Sequence, residues 1–581
     1  MATMKTFVSK LLRPPQSALF FAIVGVLAVY AFFRADPEYL SVDKRVYTHY
    51  TVSLIEDFDF NLINQVPAKE AWLLTPSQNY PDIHSNGVAV LWAPFLWFGK
   101  WLGDRAEFTP EISYRTAQSL ANVLWGLLAL PLMWRVLRRR FFENVSLSAL
   151  GLLLFCSPYF FYLVDQPENA DMTSLFLIAA ILNLYFDRDF YDERFFAFVF
   201  GLSFFFSAAI KFEAICDGLL FALYLIEIRH RGFRKVLSSV FFFAAGAALV
   251  FIPILINDSI KDGRLAYTHL STFSPHTFLL WEFLFAPSGY LVTSPFFALL
   301  LVCFACLIVK ALVKRRAGRA EFEYVFFLAI PIFKVVLASF DYNQNETYGA
   351  RPWINSLPYF ALALGYVLNE IKRPWSRIAF YLSCFACWLM ALAAAVVYRH
   401  DFDSYFFTGK NWLGIIAEKR PELAAEFLSP RWLEAKLVFF PLLSLMLLLL
   451  AMGVGYCLRA RDTRWIARSF VIGSVFYLIA TIGNIAFNSE SAKKTPPHRI
   501  AQAVIGDGPE VLSIFENVGC LERAIRYYRE RNQPEVSHSR QLLLNQYIGI
   551  VAEQIVLDPV GFKKTLTPGK EHYLRPVLWN D

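Results

Sequence analysis

The 581-residue chain predicts an all-α polytopic membrane protein, and three observations predict it. First, 56% of the residues are hydrophobic and only 18% are charged. Second, the apolar residues, 58 Phe among them, collect in runs close to the roughly twenty residues that a helix needs to cross a bilayer. Third, the basic residues sit in short loops between those runs, so the net charge of +7 reports orientation in a membrane and not a nucleic-acid partner. A soluble core could not hide this much apolar surface. The eight Cys are scattered and mostly inside apolar runs, which argues against a disulfide framework.

The elements follow in order. Lys5, Lys10 and Arg13 precede an apolar run at 18–33, which lacks a small-residue cleavage site and reads as an uncleaved anchor. An acidic, aromatic loop follows, with the run Asp43-Lys44-Arg45-Val46-Tyr47. A polar connection of that length is usually functional. The apolar run at 88–102 is short and holds Pro94 and Lys100. Counting it as a span would put Arg135, Arg138, Arg139 and Arg140 outside, so it is read as an interfacial or re-entrant helix of an outer loop over 35–113. Further spans are expected near 114–136, 145–164, 171–187, 195–210, 213–228, 236–257, 288–310, 322–340, 354–370, 377–397, 434–457 and 466–487. With the first, that makes about 13 transmembrane helices. This arrangement puts the basic clusters at 138–140, 229–235, 314–316, 372–373 and 459–468 in the cytoplasm, and eight of the nine His outside, His230 excepted. Residues 1–487 are thus expected to form the transmembrane domain. Residues 488–581 are expected to form a small α/β extramembrane domain on the outer face, after the linker Ser491-Ala492-Lys493-Lys494-Thr495-Pro496-Pro497. It would cap the working face, touch an acceptor, or stabilise the protein.

Several residues carry candidate chemistry. Asp43 lies just beyond the first span, with Tyr39, Tyr47 and Tyr50 near it in sequence. It is read either as a general base facing a lipid-borne substrate or as a loop acid paired with Lys44 or Arg45. Asp165, Glu168 and Asp171 crowd one outer turn, where ionisable groups are costly unless paired or functional. They would orient an acceptor, assist Asp43, bind a metal, or simply be solvated. Lys211 and Arg351 stand in outer turns beside apolar runs. They suit a lipid-carrier phosphate, or they pair with the nearby acids. Two Cys-Phe-Ala-Cys repeats, Cys303 with Cys306 and Cys384 with Cys387, have helical spacing but no further ligand near them in sequence, so core thiols are expected and not a zinc site. The chain has no Walker loop, dinucleotide-binding Gly pattern, nucleophile elbow or His-Glu-x-x-His.

Four blocks then carry a family resemblance. They are Asp43 and Tyr47 with Ser53-Leu54-Ile55-Glu56-Asp57-Phe58-Asp59-Phe60; Gly87 through Ala93-Pro94-Phe95; Leu284-Phe285 with Gly289-Tyr290 and Ser294-Pro295; and Tyr348-Gly349-Ala350-Arg351 with Leu357-Pro358. In this order they resemble the GT-C glycosyltransferases, in particular the bacterial aminoarabinose lipid A transferase and protein mannosyltransferase group. Lys44 stands where an acid often follows in relatives, and Asp171 where relatives often have His. The resemblance implies a GT-C-like fold and an inverting transfer of sugar from a polyprenyl-phosphate carrier to a hydroxyl of a glycan, lipid or protein. It implies Asp43 as base, with Asp165, Glu168 or Asp171 as the second group. It also implies Lys211, Arg351 and Tyr348 on the donor phosphate and Tyr47, His84 and His269 in the substrate loops. No cofactor is implied, a divalent metal stays open, and the place is a bacterial inner membrane with the active face towards the periplasm or exterior. A lipid-linked glycan polymerase or ligase would share these features. A transporter or flippase would show internal repeats with matched broken helices, and none is visible.

Overall fold

The computed structural model describes residues 16–35, 42–58, 60, 86–167, 169–262, 280–285, 291, 294–313, 319–339, 351–400, 433–459 and 464–494. His84, Glu168, His269, Tyr348, the Gly289-Tyr290 pair and the expected C-terminal domain from 495 onwards lie outside the described residues.

Every regular element among the described residues is helical. In order these are α1 (Gln16–Arg34), α2 (Val42–Glu56), α3 (Gly87–Arg105), α4 (Pro110–Arg138), α5 (Glu143–Cys156), α6 (Asp171–Phe186), α7 (Glu193–Ala208), α8 (Leu219–Ile228) and α9 (Phe233–Asp262). There follow α10 (Leu280–Phe285), α11 (Pro295–Val313), α12 (Arg319–Ala338), α13 (Arg351–Ile354), α14 (Leu357–Glu370), α15 (Pro374–His400), α16 (Leu433–Val438), α17 (Phe440–Arg459) and α18 (Arg464–Lys494). Among the described residues four stretches, Ile112–Arg138, Phe233–Ile256, Pro374–Leu392 and Arg464–Gly483, are long and apolar enough to cross a membrane, and the protein is an integral membrane protein. Three of them show large apolar side chains outwards, such as Phe241, Phe385 and Phe476, as a lipid-facing surface does.

Two expected spans are interrupted. The run at 145–164 stops at Cys156, because Ser157 precedes Pro158 and takes an extended conformation, ψ 166°, as the residue before proline prefers. A π-helical turn, Phe161–Asp165, follows. The run at 213–228 opens with a 3-10 helix, Phe212–Gly218, leaving α8 with 10 residues, about 15 Å at 1.5 Å per residue and too short to cross. The two breaks flank Asp171 and Lys211, the residues of most chemical interest.

The chain divides into two compact units. The first comprises residues 1–55, 84–251 and 277–478, and the second residues 56–83, 252–276 and 479–581. In the second, the described residues are the C-terminal parts of α9 and α18 with Glu56 to Phe58 and Phe60.

The first unit is built around α4. Thr109 caps it, accepting from the Ile112 amide, and Pro110 starts it where a missing N–H costs nothing. It packs against α1, α3, α5, α6 and α17. Its polar residues Ser113, Thr116, Gln118, Ser119 and Asn122 are all buried, so this helix is a polar spine inside the protein. Helix α3 lies close along it. A Cβ on Gly99 would come within 2.3 Å of the Ala117 side chain, and one on Gly103 within 1.8 Å of Ser113 Oγ. This Gly-x-x-x-Gly spacing lets two backbones approach as in membrane helix pairs. The opposite side of α3 presents Trp97, Trp101 and Arg105, with the Arg105 guanidinium 3.9 Å from the Trp101 ring, a composition suited to an interfacial helix.

Candidate functional site

Asp171 is the first residue of α6 and is 1% exposed. A carboxylate there is favoured by the helix dipole, but burial demands stronger partners. Two cations supply them. The Lys211 ammonium pairs with Asp171 Oδ1, and Arg351 Nε donates to Asp171 Oδ2 at 3.2 Å. Lys211 is buried at the extended residue between α7 and the 3-10 helix, and Arg351 opens α13 at 13% exposure. Arg351 Nη2 also donates to Asn169 Oδ1 at 3.4 Å. Three segments far apart in sequence thus converge on one carboxylate, and among these three ionised groups positive charge exceeds negative by one.

A run of neutral hydrogen bonds ties this cluster to α3 and α4. Asn122 Nδ2 of α4 donates to the Asn169 carbonyl. Asn122 Oδ1 accepts from the Thr173 amide at 3.1 Å and from the Thr173 hydroxyl at 2.8 Å. The same hydroxyl accepts from the Trp92 indole of α3 at 2.9 Å. The Tyr47 ring of α2 meets Trp92 edge-on, with centroids 6.1 Å apart, and Thr48 Oγ1 donates to Gln118 Oε1 of α4. Asp43 belongs to α2, four residues or about one turn before Tyr47. The N-terminus of α3 is also held against the Lys211 segment: the Gly87 amide donates to the Ala209 carbonyl at 3.0 Å. A Cβ on Gly87 would sit 2.5 Å from that oxygen, so only glycine fits this approach without backbone movement.

Of the residues singled out from sequence, Asp171, Lys211 and Arg351 come together. Tyr47 is buried and joined to them through Trp92, Thr173 and Asn122. Asp165 ends the π-helical turn, partly buried. The thiols of Cys303, Cys306, Cys384 and Cys387 are free cysteines, and among the described residues no group of three or more His, Cys, Asp and Glu side chains is placed to hold a metal. Asn122 and Thr173 went unnoticed in sequence because uncharged polar residues in an apolar run give little signal, and Asn169 because it stands among the acids of its turn. Asp217 and Lys334 were detectable as charges inside apolar runs.

No family model and no curated protein matches the chain. Among solved structures it is similar to the crystal structure of ArnT from Cupriavidus metallidurans bound to undecaprenyl phosphate, with a TM-score of 0.41 and 15% identity over 83% of this chain and 81% of that one.

Proposed function

We propose that the protein is a membrane glycosyltransferase of GT-C type that takes sugar from a polyprenyl-phosphate carrier and passes it, with inversion, to a hydroxyl acceptor at the cell surface. The observation that carries this reading is the meeting of Lys211 and Arg351 on buried Asp171. A guanidinium and an ammonium side by side match a phosphate monoester better than any neutral ligand. The four sequence blocks support the choice of donor, and the exposed apolar helices supply the lipid setting.

The chemistry assigns each group a task. Asp43 takes the proton of the acceptor hydroxyl as that oxygen bonds to the anomeric carbon. The bond from that carbon to the phosphate oxygen breaks, and its electron pair leaves with the phosphate. Lys211 and Arg351 take up the charge that develops on the leaving group, which removes the need for a strong general acid. Asp171 keeps the two cations together before the donor arrives. Base assistance of this kind contributes about 10²–10⁴ in rate.

The test uses the full-length protein in lipid nanodiscs. A C55 polyprenyl phosphate is expected to bind at least ~10-fold more tightly than the matching polyprenol, since hydrogen bonds to charged groups are worth about 1.5–3 kcal/mol each. Equal binding of the two would overturn the reading. Asp43→Asn is expected to abolish transfer from a labelled polyprenyl-phosphate sugar to membrane acceptors while leaving phosphate binding intact. Mass spectrometry of surface glycans from a deletion strain then identifies the sugar and the acceptor.

A further inference from the structure

We infer that Asp217, Lys334 and Tyr359 are positioning residues, a buried clamp that sets the spacing of Lys211 and Arg351. The inference rests on the reading of those two cations as a phosphate site, but the clamp has its own geometry. Lys334 lies in the apolar helix α12 and is fully buried, as is Asp217 in the 3-10 helix, and their charged atoms are 3.0 Å apart. The Tyr359 hydroxyl of α14 donates to Asp217 Oδ1 at 2.6 Å, and Lys334 Nζ donates to Asn355 Oδ1 at 3.2 Å. The ammonium also lies 5.6 Å from the Tyr359 ring centroid. In contrast to the Asp171 cluster, this one has equal numbers of opposite charges.

Its place in the chain gives it a role. Asp217 stands six residues after Lys211, and Asn355 and Tyr359 stand four and eight after Arg351. Lys334 therefore joins the two short segments that carry the phosphate-binding cations. A further tie strengthens the join: the Trp353 indole donates to the Pro331 carbonyl of α12 at 2.8 Å, one turn before Lys334. Helix α12 packs on the 3-10 helix, α13 and α14 alike.

The need for such a clamp follows from the chemistry of Asp171. Its carboxylate holds Lys211 and Arg351 only as long as no other anion competes for them. A phosphate that draws either cation away weakens that link, so the separation must be fixed by contacts the ligand does not touch. A buried ion pair that only stabilised the fold could be replaced by neutral groups of similar size at little cost. A clamp could not be replaced without effect on the site.

The experiment compares native protein with Lys334→Met/Asp217→Asn, both full length in nanodiscs. In the double variant, amide exchange at 211–218 and 351–359 is expected to quicken together by about tenfold or more, with protection inside α4 unchanged. Binding of the C55 polyprenyl phosphate is expected to weaken by about tenfold. Adding Lys211→Ala to the double variant should then cost less than ~3-fold, although it costs ~10-fold or more in the native background, because coupled residues are not additive. Native-like exchange in both segments, or full additivity of Lys211→Ala, would overturn the clamp. If native protein binds no polyprenyl phosphate, the glycosyltransferase reading falls and the exchange measurement alone decides the clamp. If the double variant does not fold, Tyr359→Phe takes its place. Loss of that one hydroxyl should quicken exchange in both segments by about threefold, and unchanged exchange would contradict the inference.

Discussion

At the start of α6, Asp171 lies between Lys211 and Arg351, and just past its end Asp187, fully buried, lies between Arg135 and Arg139. The helix has 16 residues, so the two clusters are about 24 Å apart along its axis. Each sets one acid between two bases, yet they are assembled differently. Arg135 and Arg139 are one turn apart at the end of α4, and the neighbouring pairs Arg188 with Glu227 and Arg140 with Glu323 add more acids nearby. Lys211 and Arg351 reach Asp171 from separate segments, and hydrogen bonds lead from there through Asn122 and Thr173 to Trp92, whose ring meets Tyr47 on the helix that holds Asp43. The Asp187 end fastens helix ends together where basic residues gather anyway. The Asp171 end draws its charges from distant segments, a cost in loop closure and burial that the proposed phosphate site would explain.

The comparison can be broken most forcefully at the two acids. Asp171→Asn and Asp187→Asn each leave two cations without a carboxylate, and breaking a buried pair in this way costs about 3–5 kcal/mol. Both variants should therefore melt earlier. Added C55 polyprenyl phosphate should raise the melting temperature of Asp171→Asn by more than that of native protein, since no carboxylate then competes for the two cations, and that of Asp187→Asn by only as much as native, because a ligand stabilises each folded state according to its affinity for it. Thermal unfolding with and without the lipid measures this, and equal rescue of both would erase the distinction.

The cations give the next largest effect. Lys211→Ala or Arg351→Ala should weaken polyprenyl phosphate binding by about 10–100-fold, the loss of a charge-assisted hydrogen bond, whereas Arg139→Ala should leave it within about twofold. Titration in nanodiscs measures all three. A smaller change is expected from Gly87→Ala. The new methyl group would push on the Ala209 carbonyl, two residues before Lys211, at about 1–3 kcal/mol for overpacking. Stability and phosphate affinity should fall together, and a loss of stability alone would detach α3 from the site. Trp92→Phe should have the smallest effect, about 1 kcal/mol for one hydrogen bond to Thr173. It is expected to slow sugar transfer more than it weakens phosphate binding, because it loosens the path to α2 and not the cations.

Composition and charge placement made the helical membrane class legible, since both are set by the bilayer and not by tertiary contacts. Asp171, Lys211 and Arg351 were legible for a related reason: a charge next to an apolar run is expensive and therefore conspicuous. Their meeting was not legible, because closing loops of forty and 180 residues leaves no periodic mark on the chain. The break after Cys156 was announced by Pro158, but the 3-10 helix before α8 was not, because Glu213 and Asp217 stand four residues apart and would share one face of an α-helix as well. Lys334 shows the opposite failure. Its charge was plain in the sequence, and its meaning depended on Asp217, Asn355 and Tyr359, whose proximity only the fold supplies.

The most direct test is a cryo-electron microscopy map of the nanodisc-held protein with the C55 polyprenyl phosphate. The phosphate is predicted to lie between Lys211 and Arg351, with oxygens about 3 Å from both cations and Asp171 displaced from at least one of them. Lipid phosphate bound elsewhere, with Lys211, Asp171 and Arg351 still joined as described, would contradict the account.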